Sequence, residues 1–504
     1  MLVTRASGPG MVVTIVLMLS ALSSGHAAQD PPAFSFDRLR AIATERARAP
    51  AAPEDSADLP EWLAKLDYEG YRSLRFRPET SLWTDDNLPF RIRFMHRGYL
   101  YGRRVPIHVV DGAKVEELRF SPAQFEYPEG SPPVPDELGY SGFAVLSWSD
   151  TTQRWDEIAA FQGASYFRLL GDGQVYGASL RGLTIDTAAT NGEEFPAFVE
   201  FWIERPLPGA TRLTVYALLD SPGASGAYRF LIGRQGPEVE AEVSVCIVPR
   251  HPIGKLGLAP LTTMFLSGED GLRRQADYRP EIHDSDGLLL ANGDGAWTWR
   301  PLANPDRTHR IERFPLENPA GFGLLQRDRA FASYEDLGAR FELRPGFWVS
   351  PRGAWGKGAV ELIEIPTSAE WNENVVAYWV PEAPVTPGEP LCLDYGLTTT
   401  RDDAQRPPLA RCTALRLRPG DKPFFVLDFA GPQLEGDFPS LHADITAKGA
   451  SIGNVVLQPN EAAGGVRLTF ELAARTEDRV DLRVRLLRGE RAVSETVAWP
   501  WVKP

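Results

Sequence analysis

The chain has 504 residues and a formal net charge of −14, from 53 Lys and Arg against 67 Asp and Glu. That balance argues against a nucleic-acid or anionic-membrane partner and suits a neutral substrate or a basic partner. The length is enough for two or three domains with large cores that need no staples.

Residues 1–27 read as a secretory signal peptide. Arg5 is the only charge before a mainly apolar run at 11–22, and the small residues Gly25-His-Ala27 follow. The run is shorter than the roughly 20 residues of a membrane span, and no second long apolar run appears. The expected product is exported, with no stable membrane insertion once the signal is cut.

Short helices come first. Phe36, Leu39 and Ala43 recur at helical spacing until Pro50, and Asp58-Leu-Pro-Glu61 then opens a second helix, with Asp58 as its expected cap and Trp62 and Leu66 facing inward. From about Tyr71 the period changes to two. Leu213, Val215, Ala217 and Leu219 share one face, and Val239, Ala241, Val243, Val245 and Ile247 alternate with polar residues. Many short strands separated by 45 Gly and 43 Pro argue for an all-β protein, a sandwich or barrel. The charged, proline-bearing stretch 401–408 suits a linker. It divides a large β-sandwich domain at 28–400 from 409–504, whose strand pattern suits a small immunoglobulin-like sandwich.

Three cysteines leave at least one unpaired in an exported protein. Cys246 reads as a buried small hydrophobe; Cys392 and Cys412 could pair, although the reading leans against it. Gly449-Ala-Ser-Ile-Gly453 matches a nucleophile elbow, but no histidine follows Ser451 and its surroundings are strand. The histidines lack zinc spacing, and His283 is a poor calcium ligand, so no metal or other cofactor is expected.

The chemistry concentrates in Tyr278-Arg-Pro-Glu-Ile-His-Asp-Ser-Asp-Gly287, followed by Trp297 and Trp299. Carboxylates beside aromatic faces suit a carbohydrate site, although Asp-Ser-Asp-Gly is also good turn chemistry. A second acid is expected at 361–379, where Glu370 and Glu373 flank Trp371 in a loop after Pro366. Nearby aromatics would desolvate such an acid and raise its pKa.

These stretches carry a resemblance. Gly163-Ala-Ser-Tyr-Phe-Arg168, Ser179-Leu-Arg-Gly-Leu-Thr-Ile-Asp-Thr187, Phe201-Trp-Ile-Glu-Arg-Pro206, Lys255-Leu-Gly-Leu-Ala-Pro260, Tyr278 to Gly287, Trp299-Arg-Pro301, Trp355-Gly-Lys-Gly358 and Val375-Val-Ala-Tyr-Trp379 resemble the glucans biosynthesis proteins G and D of osmoregulated periplasmic glucan synthesis. The resemblance implies a large β-sandwich joined to an immunoglobulin-like domain, export to the periplasm, and action on β-1,2-glucan. Family members include inverting endo-β-1,2-glucanases and transglycosylases, while others bind or shape glucan for a membrane synthase. It implies Asp284 as general base. The family's general acid is an Asp in an Asn-Asp-Asn motif that here reads Asn372-Glu373-Asn374, so the carboxyl of Glu373 stands one methylene further out. An inverting pair needs its carboxyls about 6.5–9.5 Å apart. Arg279, Glu281, His283, Asp286, Arg300 and Glu370 are the expected orienting groups. Tyr166, Arg168, Trp202, Trp297, Trp299, Trp355 and Trp371 are the expected cleft wall.

Overall fold

A computed structural model describes residues 34–51, 58–190, 192–269, 277–401, 406–475 and 479–502, with no statement on the side chains of 474 and 475. The expected signal peptide and part of the expected linker lie outside the described residues.

The chain is an all-β sandwich. One sheet has ten strands, in the order Phe90–His96, Tyr140–Ser149, Arg154–Gln162, Tyr166–Leu169, Ser179–Arg181, Leu256–Thr263, Val375–Pro381, Lys357–Glu364 and Arg310–Glu317, with Leu183–Ile185 pairing beside Leu256–Thr263. The second has fifteen strands and contains the long antiparallel run Arg212–Asp220, Ala224–Gln235, Glu238–Pro249 and Leu391–Thr400. The period-two pattern is what lets both sheets bury one face: Phe90–His96 alternates strictly between buried and half-buried residues. The buried faces meet through aromatic edges. Phe161 and Phe167 of the ten-stranded sheet each lie 5.2 Å from Phe230 of the other, and Phe143 lies 5.1 Å from Phe201.

The first helix spans Phe36–Ala47, capped by Ser35, whose Oγ accepts from the Arg38 N–H at 3.2 Å. Leu39 and Ala43 are buried as the spacing predicts, in a cluster with Phe34, Trp202 and Tyr216. The second helix is a single turn, Glu61–Ala64, without a side-chain cap. Asp58 does not cap it; its carboxylate instead accepts from the buried Arg97 guanidinium at 2.7 and 3.0 Å. Its fully buried residue is Leu63, while Trp62 and Leu66 are half-buried against the main core.

After the division proposed at 401–408, Arg411–Arg418, Phe424–Ala430, Gly465–Arg475 and Ala450–Asn460 form a four-stranded sheet. Leu441–Lys448, Arg479–Arg488 and Thr496–Val502 face it, with the Phe425 and Trp499 rings 5.1 Å apart. Those three strands are also the end of the fifteen-stranded sheet, because Thr496–Val502 pairs in parallel with Trp297–Pro301. The C-terminal segment is thus hydrogen-bonded to the second strand after the acidic stretch, Gly287–Ala291 being the first.

The cysteine expectation is corrected. Cys246 and Cys392 form a disulfide, and Cys412 is the free, buried thiol. The reason is topological: Glu238–Pro249 and Leu391–Thr400 are neighbours in the sheet and their register sets these two cysteines directly opposite. Across 146 residues of sequence no local pattern announces that pairing.

Candidate active site

Four consecutive residues, 262–265, organise the site. They run off the end of the strand Leu256–Thr263. Thr262 Oγ1 bonds Glu373 Oε2 at 2.8 Å, and Thr263 Oγ1 bonds Ser285 Oγ at 2.9 Å. The Met264 carbonyl accepts from the Asp284 N–H at 2.8 Å. Phe265 exchanges two bonds with the Asn374 side chain, its N–H donating to Oδ1 at 2.8 Å and its carbonyl accepting from Nδ2 at 3.1 Å. The two loops that carry Asp284 and Glu373 are therefore tied to the same short segment, which brings the two carboxylates into electrostatic reach of each other.

Asp284 is 3 % exposed and gripped by Arg344 Nη1 at Oδ1. Burial raises its carboxyl above the ordinary aspartate range, the Arg344 guanidinium pulls it back, and the Glu373 charge pushes it up again. Glu373 is held at both oxygens, Oε1 by the Ser179 hydroxyl and Oε2 by Thr262, with Arg168 Nη2 at 3.8 Å from Oε1. Thr262 also lies 3.3 Å from the Ser179 carbonyl. Its single hydrogen therefore has a second acceptor, so Thr262 can turn and receive a hydrogen bond when Glu373 carries a proton.

Behind Asp284 sits a buried charged knot. His283 bonds Glu281 Oε2 through Nε2 at 2.8 Å and lies 3.3 Å from Asp286 Oδ1. Its Nδ1 faces Gln326 Oε1 at 2.9 Å. Gln326 spends its amide hydrogens on the carbonyls of His283 and Phe341, so its oxygen must face the ring, which donates from Nδ1. Both ring nitrogens thus donate, which makes His283 an imidazolium. Burial alone would push it down, but Asp286 and Glu281 outweigh burial and raise it to about 9. Asp328 beside them is raised by burial and by Asp286, Glu281 and Glu269. Among the described residues, Glu281, His283 and Asp286 are also the set whose ligand atoms, all within 4.8 Å of one another, could hold a metal ion.

The remaining expected residues divide. Tyr166 and Arg168 share one face of Tyr166–Leu169 beside Glu373, with Arg181 stacked on the Tyr166 ring at 4.6 Å. Arg279 joins three loops, bonding Asp277, Asp336 at 2.7 Å and Glu370 at 2.7 Å. Trp371 beside it is 83 % exposed. Other expected wall residues have their faces occupied. Trp202 lies between Phe34 and His108, Trp297 stacks on Trp348, Trp299 carries Arg327 at 3.5 Å, and Trp355 packs against Trp379 and Tyr395. Arg300 is 0 % exposed and spends its guanidinium on Glu312 and Glu364. It is an internal ion pair, as a long cation between strands becomes when two carboxylates reach it.

Ser179, Thr262, Arg344, Asn374 and Gln326 were not singled out from the sequence. Ser179 and Thr262 read as ordinary strand residues, and their partner Glu373 stands 194 and 111 residues away. Asn374 alone had a local signal, as the last residue of the Asn372-Glu373-Asn374 motif.

A family model described as periplasmic glucan biosynthesis protein, MdoG, matches residues 34–501. Glucans biosynthesis protein G of Ralstonia nicotianae is 44% identical over 508 residues, covering 96% of this chain and 98% of the relative. The protein of that name from Rhodopseudomonas palustris strain BisA53 is 42% identical, covering 95% of each chain. That of Bradyrhizobium diazoefficiens is 41% identical, covering 95% of this chain and 94% of its own. Among solved structures, the galactosidase domain of an alpha-galactosidase-sucrose kinase overlaps with 10% identity and a TM-score of 0.26, over 51% of this chain and 39% of that one, too little to carry an argument.

Proposed function

We propose, for a chain that belongs to the periplasmic glucan biosynthesis protein family MdoG, that it acts in the periplasm on β-1,2-glucan backbones as an inverting endo-glucanase or a related transglycosylase. The observation that carries the reading is the shared tether at residues 262–265, to which the loops of a buried aspartate and a hydroxyl-held glutamate are both bonded, within electrostatic reach of each other. Among the described residues no helix is long and apolar enough to cross a membrane.

The division of labour follows from the surroundings. Asp284 is the base: burial raises its proton affinity, and Arg344 keeps the ionised form accessible. It takes a proton from water as the water oxygen bonds to the anomeric carbon. Glu373 is the acid. As the bond between the anomeric carbon and the bridging oxygen breaks, it gives its proton to that oxygen, and Ser179 and Thr262 receive the new carboxylate. The proton on Asp284 then returns to Glu373 through solvent. In transfer, a sugar hydroxyl replaces the water. The imidazolium of His283 beside Asp284 favours its ionised state.

A second reading keeps the cleft and drops the chemistry, so that the protein binds nascent glucan and presents it to a membrane synthase. The exposed Trp371 favours it as much as catalysis. Incubating the mature protein with linear β-1,2-glucan and following chain length separates the two. Shortened or cyclised glucan supports the enzyme, and unchanged glucan that binds tightly supports the carrier.

A further inference from the structure

Behind Asp284, where the acidic stretch meets the C-terminal segment, lies a cavity of about 40 Å³. That is room for an ion with a water or two, since a single water needs about 10–15 Å³. Glu269, Glu281, His283, Asp286, Asp328 and the Cys412 thiol line it. Their charges do not cancel. Arg327, also on the wall, is paired with the fully buried Glu495, and Arg416 answers Glu269 at 2.8 Å. The imidazolium of His283 is then left facing Glu281, Asp286 and Asp328. Carboxylates withdrawn from water in excess of their partners are costly unless a further cation joins them.

The donors are placed for coordination. His283 Nε2 stands 2.8 Å from Glu281 Oε2 and 3.3 Å from Asp286 Oδ1, and ligand atoms of the three residues all lie within 4.8 Å of one another. A tetrahedral Zn²⁺ with bonds of about 2.0–2.1 Å sets its ligands about 3.3 Å apart, so small side-chain shifts bring all three onto one ion. A second tier of bonds already orients the set. Nδ1 of His283 donates to Gln326 Oε1 at 2.9 Å, which turns Nε2 inward. Asp286 Oδ2 accepts from the backbone N–H groups of Arg327 and Asp328, which leaves Oδ1 toward the ring. An imidazole with carboxylates, and a soft thiol on the same wall, favour a first-row transition ion over Mg²⁺ or Ca²⁺. Positions 281, 283 and 286 lie outside the usual zinc spacings because a two-residue strand, Ile282–His283, and the turn after it carry them.

We propose that Glu281, His283 and Asp286 form a Zn²⁺ site that pins the acidic stretch beside the C-terminal segment. Coordination forms an Nε2–Zn bond in place of the Nε2–H bond, and the proton leaves to solvent. The site stands independently of the glucanase reading and needs no glucan to be detected.

The test is calorimetric titration of Zn²⁺ into chelator-treated mature protein, in buffers of different ionisation heat, with melting curves alongside. The expected result is a single bound ion, a raised melting temperature, and a heat that varies with the buffer because a proton is released. Gln326→Ala keeps the donors but frees the ring, and should bind about 10–100-fold more weakly. Glu281→Gln removes a donor and should bind more weakly still. No binding by wild type would overturn the site, as would affinity unchanged in both folded variants, which would mark adventitious surface binding. Should neither variant fold, Co²⁺ bound to the wild-type protein decides. The intense visible absorption of a four-coordinate ion supports the site, and the pale spectrum of a six-coordinate one overturns it.

Discussion

Replacing Arg344 with Gln isolates the electrostatic part of the account. Arg344 contacts Asp284 Oδ1 and is the chief influence opposing the burial of that carboxyl. A cation at such range lowers a carboxyl, so its removal should raise Asp284 further. Each unit corresponds to about 1.4 kcal/mol between the two protonation states. The base must be ionised to act, so activity rises with pH through the Asp284 pKa. In the wild type that rise should already lie above the ordinary aspartate range of about 3.9. In Arg344→Gln it should move further up, and at a fixed pH on the rising limb kcat/KM should fall about tenfold for each pH unit of that movement. Stability runs with pH in the opposite direction to activity. The folded-state pKa is raised, so ionised Asp284 is the costly form. The variant should melt closest to wild type at low pH and fall further below it as pH climbs. The assay is kcat/KM for linear β-1,2-glucan across pH, with melting curves alongside. An activity loss uniform across pH, with no movement of the acid limb, would refute the role given to Asp284.

Three further outcomes follow from named contacts. Ser179→Ala and Thr262→Val each remove one hydrogen bond to Glu373, a loss of about 0.5–1.5 kcal/mol. Each should cost about two- to tenfold in kcat, and wild-type rates in both would show that the hydroxyls do not aim the acid. Alkylation in denaturant without reductant should label Cys412 alone, and Cys392→Ser should lose about 2–5 kcal/mol of stability; three labelled thiols would contradict the pairing. Glu495 is 0 % exposed, binds Arg327 at 2.6 and 2.9 Å, and accepts from the Cys412 N–H, so it locks the C-terminal segment to the loop that follows the strand Gly321–Leu325. Glu495→Gln should destabilise the protein by about 3–5 kcal/mol; an unchanged melting temperature would show that the lock is idle.

The alternating strands were legible because a half-buried sheet imposes a period of two on its residues, and Leu213 to Leu219 or Val239 to Ile247 display it without help from partners. The same local physics hid what lies between sheets. Trp202 and Trp299 stand in polar company in the sequence, yet a strand alternates its faces, so polar neighbours say nothing about the tryptophan's own side. The pairing of Arg300 was hidden for a related reason: its partners Glu312 and Glu364 come from other strands. Of the candidate site, the two proposed acids stand out in the sequence, because each lies in a loop with a dense local motif. Their supports could not, since Thr262, Ser179 and Arg344 become meaningful only when the sheet brings residues 60 to 194 positions apart into contact.

The central claim is that Asp284 and Glu373 form one catalytic pair. The most direct measurement is the action of wild type, Asp284→Asn and Glu373→Gln on linear β-1,2-glucan, with chain length by mass spectrometry and anomeric form by proton NMR within the first turnovers. The account predicts shortened glucan with an inverted new reducing end, or ring products, from wild type. It predicts a loss of about 10²–10⁴-fold in either variant, each still folded and still binding glucan. Cleavage that survives in both variants would contradict it.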